Sequence, residues 1–149
     1  MRFKKFVGAR IFPRLKIYRL ITPPAGETPR SVDERMKYQL IYINHVIAEV
    51  TAEDSDFPTY FGKYTLSSGL DQLAAISHVL SYIEYSVRVW PLIEEDRGDE
   101  IDYEEENQFI DLIESGDWWL LDENGEKTGI LIPVFCTDYG INWRLDPSR

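Results

Sequence analysis

The sequence predicts an α+β fold: a mostly antiparallel sheet, built from an N-terminal meander and a C-terminal hairpin, packed against one long and one short helix. Three observations predict it. Up to residue 66 the chain is rich in β-branched and aromatic residues that alternate with polar ones between Pro/Gly-rich turns. After Gly69 the apolar spacing changes to threes and fours, the period of a helix face. Near the end, Asn124-Gly125 stands between two apolar runs, the strongest short hairpin signal a sequence carries. With 149 residues, 44% hydrophobic and 13% aromatic, the chain is expected to form one domain, 1–149, around a packed core.

Residues 3–12 and 15–22 read as two strands separated at Pro13, and 23–34 as an exposed Pro/Gly-rich connection. The apolar run from Lys37 to Thr51 is too long for one typical strand, and Asn44-His45 suits a tight turn. A hairpin of 37–43 with 46–52 is therefore expected. The loop Asp54 to Pro58 leads to a further strand, 59–66. Ser67-Ser68-Gly69-Leu70-Asp71 offers a helix start, with a serine cap and an acid in the first turn. Leu73, Ile76, Leu80, Ile83 and Val87 then form an apolar stripe on a helix of about 20 residues that Pro91 ends. A shorter helix is expected from Tyr103 to Ser115, with Phe109, Leu112 and Ile113 inward and Gly116 as its stop. Trp118–Asp122 and Lys127–Phe135 close the fold as a hairpin around Glu123-Asn124-Gly125-Glu126.

The charge is uneven. Residues 1–37 hold ten Lys/Arg against three acids, a net +7, and the rest of the chain holds six bases and 23 acids, a net −17. Between Glu94 and Glu106 lie nine acids and one base, Arg97: Glu94, Glu95, Asp96, Asp99, Glu100, Asp102, Glu104, Glu105 and Glu106. Such a field repels nucleic acid and speeds encounter with a basic surface. The N-terminal third interleaves Phe3, Phe6, Phe12 and Tyr18 with its basic residues, as single-strand binders do. Strand alternation explains these aromatics as core, and the remaining charge opposes a polyanion. No nucleic-acid partner is expected.

A single cysteine, Cys136, cannot form an internal disulfide, which fits a reducing compartment. Arg10, Arg14, Lys16 and Arg19 interrupt any signal-peptide core, and no run approaches the roughly 18 apolar residues of a membrane span. A cytoplasmic protein with no membrane partner is expected.

Motifs of catalysis and metal binding are missing from the sequence. His45 and His78 lack ligand-spaced partners, and there is no Cys-x-x-Cys, His-Glu-x-x-His, P-loop or Gly-x-Ser-x-Gly. The acidic block lacks the alternation and central glycine of a calcium loop. Cys136 lies in the apolar run Pro133-Val134-Phe135-Cys136 and reads as an inert small hydrophobe. General acid work needs a carboxyl in an apolar pocket, whereas the acids cluster in the most polar part of the chain. The expectation is a non-enzyme with no cofactor and no metal.

The stretch Tyr64-Thr-Leu-Ser-Ser-Gly69-Leu70-Asp71-Gln72-Leu-Ala74-Ala75-Ile-Ser-His-Val-Leu80-Ser-Tyr-Ile83 resembles a pattern of small bacterial proteins. In these a β-meander leads into Gly-[Val/Leu]-Asp-x-x-Gln-Ala-x-x-x-Ala-Leu-x-x-Ile. This chain departs from it by carrying Gln72 directly after Asp71, with leucine and alanine where Gln-Ala would fall. The likeness spans residues 15–90. It resembles families that include immunity proteins encoded beside polymorphic toxins, and it carries over no catalytic residue.

Composition and resemblance together lead to one expectation, an immunity-type protein that occludes a basic site on a cognate toxin such as a nuclease. The nine acids of 94–106 would form the charged contact, with Tyr103 and Trp118 as aromatic anchors. Three other readings stay open: a phage-type inhibitor or DNA mimic, an enzyme with a carboxylate site, and a solvated loop beside core tryptophans. Oligomeric state is left open.

Overall fold

The computed structural model describes residues 36–149. The expected strands 3–12 and 15–22 and the connection 23–34 lie outside the described residues. Among the described residues seven strands form one antiparallel sheet: β1 (Lys37–Tyr42), β2 (His45–Asp56), β3 (Thr59–Leu66), β4 (Trp118–Asp122), β5 (Lys127–Gly129), β6 (Val134–Phe135) and β7 (Gly140–Arg144). Their order across the sheet is β5-β4-β1-β2-β3-β7-β6. The sheet curls until its two halves meet. Ile130, just after β5, bridges Leu145, just after β7, and Leu131 N–H donates to Arg144 C=O at 3.0 Å.

The meander from β1 to β3 follows from the residue pattern. Register sets Tyr38 beside Val50 and Val50 beside Tyr64, Leu40 beside Ala48 and Leu120, and Tyr42 beside Trp118, so these side chains share one face. The two expected turns shift. The first is Ile43-Asn44 rather than Asn44-His45, with Ile43 at φ 58°. An extra residue, Ile47, bulges between the pairs Leu40–Ala48 and Ile41–Val46, which moves the turn by one position. The expected loop 54–58 is a two-residue turn, Phe57-Pro58, because β2 runs on to Asp56. Gly62 is required opposite Ala52, where the β2–β3 register shifts: a Cβ there would lie 2.3 Å from the Thr51 carbonyl oxygen.

The long helix, α1 (Ser77–Glu94, 18 residues), starts later than the sequence predicts and does not stop at Pro91. Residues 70–76 form two 3₁₀ turns separated by an extended Leu73, which is exposed. The helix passes through Pro91 and closes three residues on with Arg97 N–H donating to Leu92 C=O (2.6 Å) and Asp96 N–H to Ile93 C=O (3.1 Å). With Asp96 at φ 59°, this is a Schellman stop in which aspartate takes the glycine position. The buried stripe is also rotated from the expected one. Val79, Tyr82, Ile83, Ser86, Val89, Trp90 and Ile93 face the core, while Leu80 and Val87 are half-buried.

Tyrosine and serine take inward places because the sheet edge needs polar partners. β6 is an edge strand. The Ser86 hydroxyl donates to Phe135 C=O and accepts from Phe135 N–H, both at 2.8 Å, and the Tyr82 hydroxyl donates to Pro133 C=O at 2.7 Å. The helix thus meets backbone groups that an open edge would leave bare. Phe135 completes the contact, with ring centroids 6.2 Å from Tyr82 and 5.0 Å from Tyr64 on β3.

The short helix is a run of three pieces: α2 (Tyr103–Glu106), a 3₁₀ turn Asn107–Phe109, and α3 (Ile110–Glu114). Phe109 and Leu112 are buried and Ile113 packs on the core, as the sequence predicts. The β4–β5 hairpin also forms as expected, with Gly125 at φ 84° in its turn. Its second strand ends at Gly129, not at Phe135. The chain then crosses to the other side of the sheet to form β6 and β7, and β7 pairs with β3. No helix among the described residues is long and apolar enough to cross a membrane.

Candidate functional site

The acidic segment connects the end of α1 to the start of α2, and four local features fix its path. The left-handed Asp96 turns the chain away from α1. Arg97 is then clamped by acids on both sides, with Nη1 donating to Glu95 at 2.7 Å and Nε and Nη2 to the two Glu100 oxygens at 2.7 Å each. These bonds hold the Glu100 carboxyl below its ordinary range and raise Arg97. After the 3₁₀ turn Gly98–Glu100, Ile101 drops into the core. Asp102 caps α2, its carboxylate accepting from Glu104 N–H at 2.9 Å and Glu105 N–H at 3.4 Å.

The predicted contact residues separate into two groups. Glu94, Glu95, Asp96, Asp99, Glu100, Asp102 and Glu104 are exposed. Glu105 is half-buried and forms an ion pair with Nη1 and Nη2 of Arg88, whose side chain lies over the Tyr85 ring. Tyr103 is half-buried, its hydroxyl 3.4 Å from Gly98 C=O. Burial, with Glu106 and Asp99 nearby, raises the Tyr103 hydroxyl.

Two expected contact residues must be corrected. Glu106 is fully buried. It sits one helical turn before Phe109 and two before Ile113, so the stripe that packs on α1 carries it inward. Burial pushes its carboxyl up to about 8, with a hydrogen bond from Tyr85 as the opposing effect. Trp118 is also fully buried. Its indole N–H donates to Leu112 C=O at 3.0 Å and its ring lies 4.7 Å from Tyr42, so it ties α3 to the sheet rather than anchoring a partner. The outward tryptophan is Trp119, held between Lys127 (4.6 Å) and the Arg149 guanidinium (4.5 Å).

The other reactive side chains are held by the fold. Cys136 is buried, and burial raises its thiol well above the range of a neutral-pH thiolate. His78 stacks on Phe109 at 5.2 Å, and its Nε2 meets Asp111 at 3.1 Å on the helix surface. Among the described residues no group of three or more His, Cys, Asp or Glu side chains could hold a metal ion. A cleft of about 400 Å³ opens over β1, β2 and β4, with Lys37, Gln39, Glu49 and Asp122 in its wall. No residue of the acidic segment lines it, and neither does Glu106.

No family model, curated protein or solved structure matches this chain. The site is therefore read from its own geometry. Seven exposed carboxylates lie along a connection whose backbone is held at Asp96, Ile101 and Asp102. Such an arrangement can present fixed negative charge to a cation-rich surface.

Proposed function

We propose that the chain is a binding protein of the toxin-immunity type, which covers a basic site on a cognate toxin with its acidic segment. The observation that carries this reading is the frame beneath the carboxylates: the Schellman stop, the Ile101 anchor and the Asp102 cap hold Glu94, Glu95, Asp99 and Glu100 on an ordered path. Charges held in place before contact need little ordering on association, so they steer and select at low entropic cost. The contact includes Glu94, Glu95, Asp96, Asp99, Glu100, Asp102 and Glu104, with Tyr103 at its border. Glu106 and Trp118 act from beneath it. The action is steric and electrostatic and needs no bond to form or break.

The test uses the product of the gene directly upstream as the candidate toxin. Wild-type chain should restore growth to cells expressing that product and form a complex with it. The double variant Glu94→Lys/Asp99→Lys should slow association by about tenfold at low salt, with a flatter salt dependence and an unchanged melting temperature. Absence of both rescue and complex, or an association rate indifferent to the two charges, overturns the reading.

A further inference from the structure

Glu106 occupies an environment that suits a neutral carboxyl and not a carboxylate. The residue is fully buried. Among the described residues its Oε2 has no hydrogen-bond partner, and its Oε1 is reached only by the Tyr85 hydroxyl, at 3.4 Å. Around the site the rings of Tyr85 and Phe109 stand 5.3 Å apart, and those of Tyr82 and Phe109 5.6 Å. Among the described residues the ionisable groups that act electrostatically with Glu106 are Tyr82 and Tyr85 from α1 and Tyr103 from its own run, and none of these is a cation. Arg88, on the same helix as Tyr85, is paired with Glu105. A carboxylate left in such a site lacks the hydrogen bonds and counter-charge that would offset its lost hydration.

We propose that Glu106 is a proton-dependent latch: its neutral form holds the run Tyr103–Glu114 against α1, and loss of the proton releases that run together with the acidic segment before it. Geometry makes the coupling local. Glu106 lies within α2, four residues after the Asp102 cap and three before Phe109, the ring that packs on Tyr82 and Tyr85. A charge formed there can reach water only if α2 moves away from α1. The β6 contact with Ser86 is made by other groups, and the Trp118 indole bond to Leu112 C=O is the tie to the sheet that release of the run would break.

The direction with pH follows from the two states. In the unfolded chain the carboxyl gives up its proton near its ordinary 4.5, and in the folded chain near 8. Between those values the unfolded chain binds fewer protons, so folding and local closure weaken as pH rises, by up to about tenfold in equilibrium constant per pH unit. Below the ordinary value both states are protonated and the full stability is present.

The experiment follows the Glu106 side-chain carbon by ¹³C NMR from pH 5 to 10 in the wild-type chain. Amide hydrogen exchange at pH 6.5 and 9, corrected for intrinsic rates, is measured in wild type and Glu106→Gln. The carboxyl should titrate near 8, and the amides of 103–114 should lose at least tenfold protection at pH 9 relative to those of β2 and β3. Glu106→Gln should abolish that selective loss. Titration near the ordinary value, or titration near 8 with the run still protected, overturns the latch. So does the same loss in Glu106→Gln. The wild-type measurements decide even if the variant does not fold.

Discussion

Ser86 and Glu106 are both fully buried polar residues at the surface of α1, and they are satisfied to different degrees. The Ser86 hydroxyl uses its donor and an acceptor on the two backbone groups of Phe135, each at 2.8 Å. Among the described residues Glu106 has one long contact, from the Tyr85 hydroxyl, and a second oxygen with no partner. The first arrangement fixes the edge strand to the helix under all conditions in which the protein folds. The second holds its helix only while the carboxyl stays neutral. A buried polar group is thus a permanent staple or a conditional one, according to whether its hydrogen bonds close.

The largest effect is expected at the satisfied side. Ser86→Ala leaves the Phe135 N–H and C=O facing α1 without a partner, and should cost about 2–4 kcal/mol in urea unfolding. The loss should be the same at pH 6 and pH 8, because no titrating group is removed. A loss that grows with pH would mean that the two flanks are coupled, and the contrast between them would fail.

The same contrast explains what the sequence made legible. Alternation exposed the meander, and Asn124-Gly125 exposed the β4–β5 turn, because these signals are local. Apolar spacing places Ile76, Leu80, Ile83 and Val87 against the core but misses the polar members of the inward face. Tyr82 and Ser86 turn inward to meet an edge strand more than 45 residues away, which spacing within the helix does not encode. β7 stayed hidden because its partner, β3, is far off in sequence. Trp118 is misplaced as an outward anchor because Leu120 and Leu121 make both faces of β4 equally apolar. For Glu106 a signal did exist. It shares the helical phase of Phe109 and Ile113, which separates it from Glu104 despite the run of three identical residues.

A smaller effect is expected at the cap of the conditional side. Asp102→Ala removes the acceptor for Glu104 N–H and Glu105 N–H and should lower stability by about 1 kcal/mol. Hydrogen exchange should locate the loss in 103–114 and leave the Ser86–Phe135 contact protected. Equal loss across the sheet would show that the run is no separate unit.

The smallest effect on stability is expected at Arg97, although it makes three of the best-formed side-chain bonds in the segment. Both Arg97 and its partners are open to water, so the ion pairs are screened and their loss is offset by hydration. Arg97→Ala should leave the melting temperature unchanged. The Glu100 carboxyl, freed from the hydrogen bonds that hold it low, should titrate upward toward its ordinary 4.5, which ¹³C NMR can follow directly. Arg97 therefore sets where the carboxylates point and how readily they lose their protons, while the fold beneath them stays the same. If Arg97→Ala instead melts early, the clamp is structural, and the acidic segment depends on its surface pairs rather than on Ile101 and Asp102.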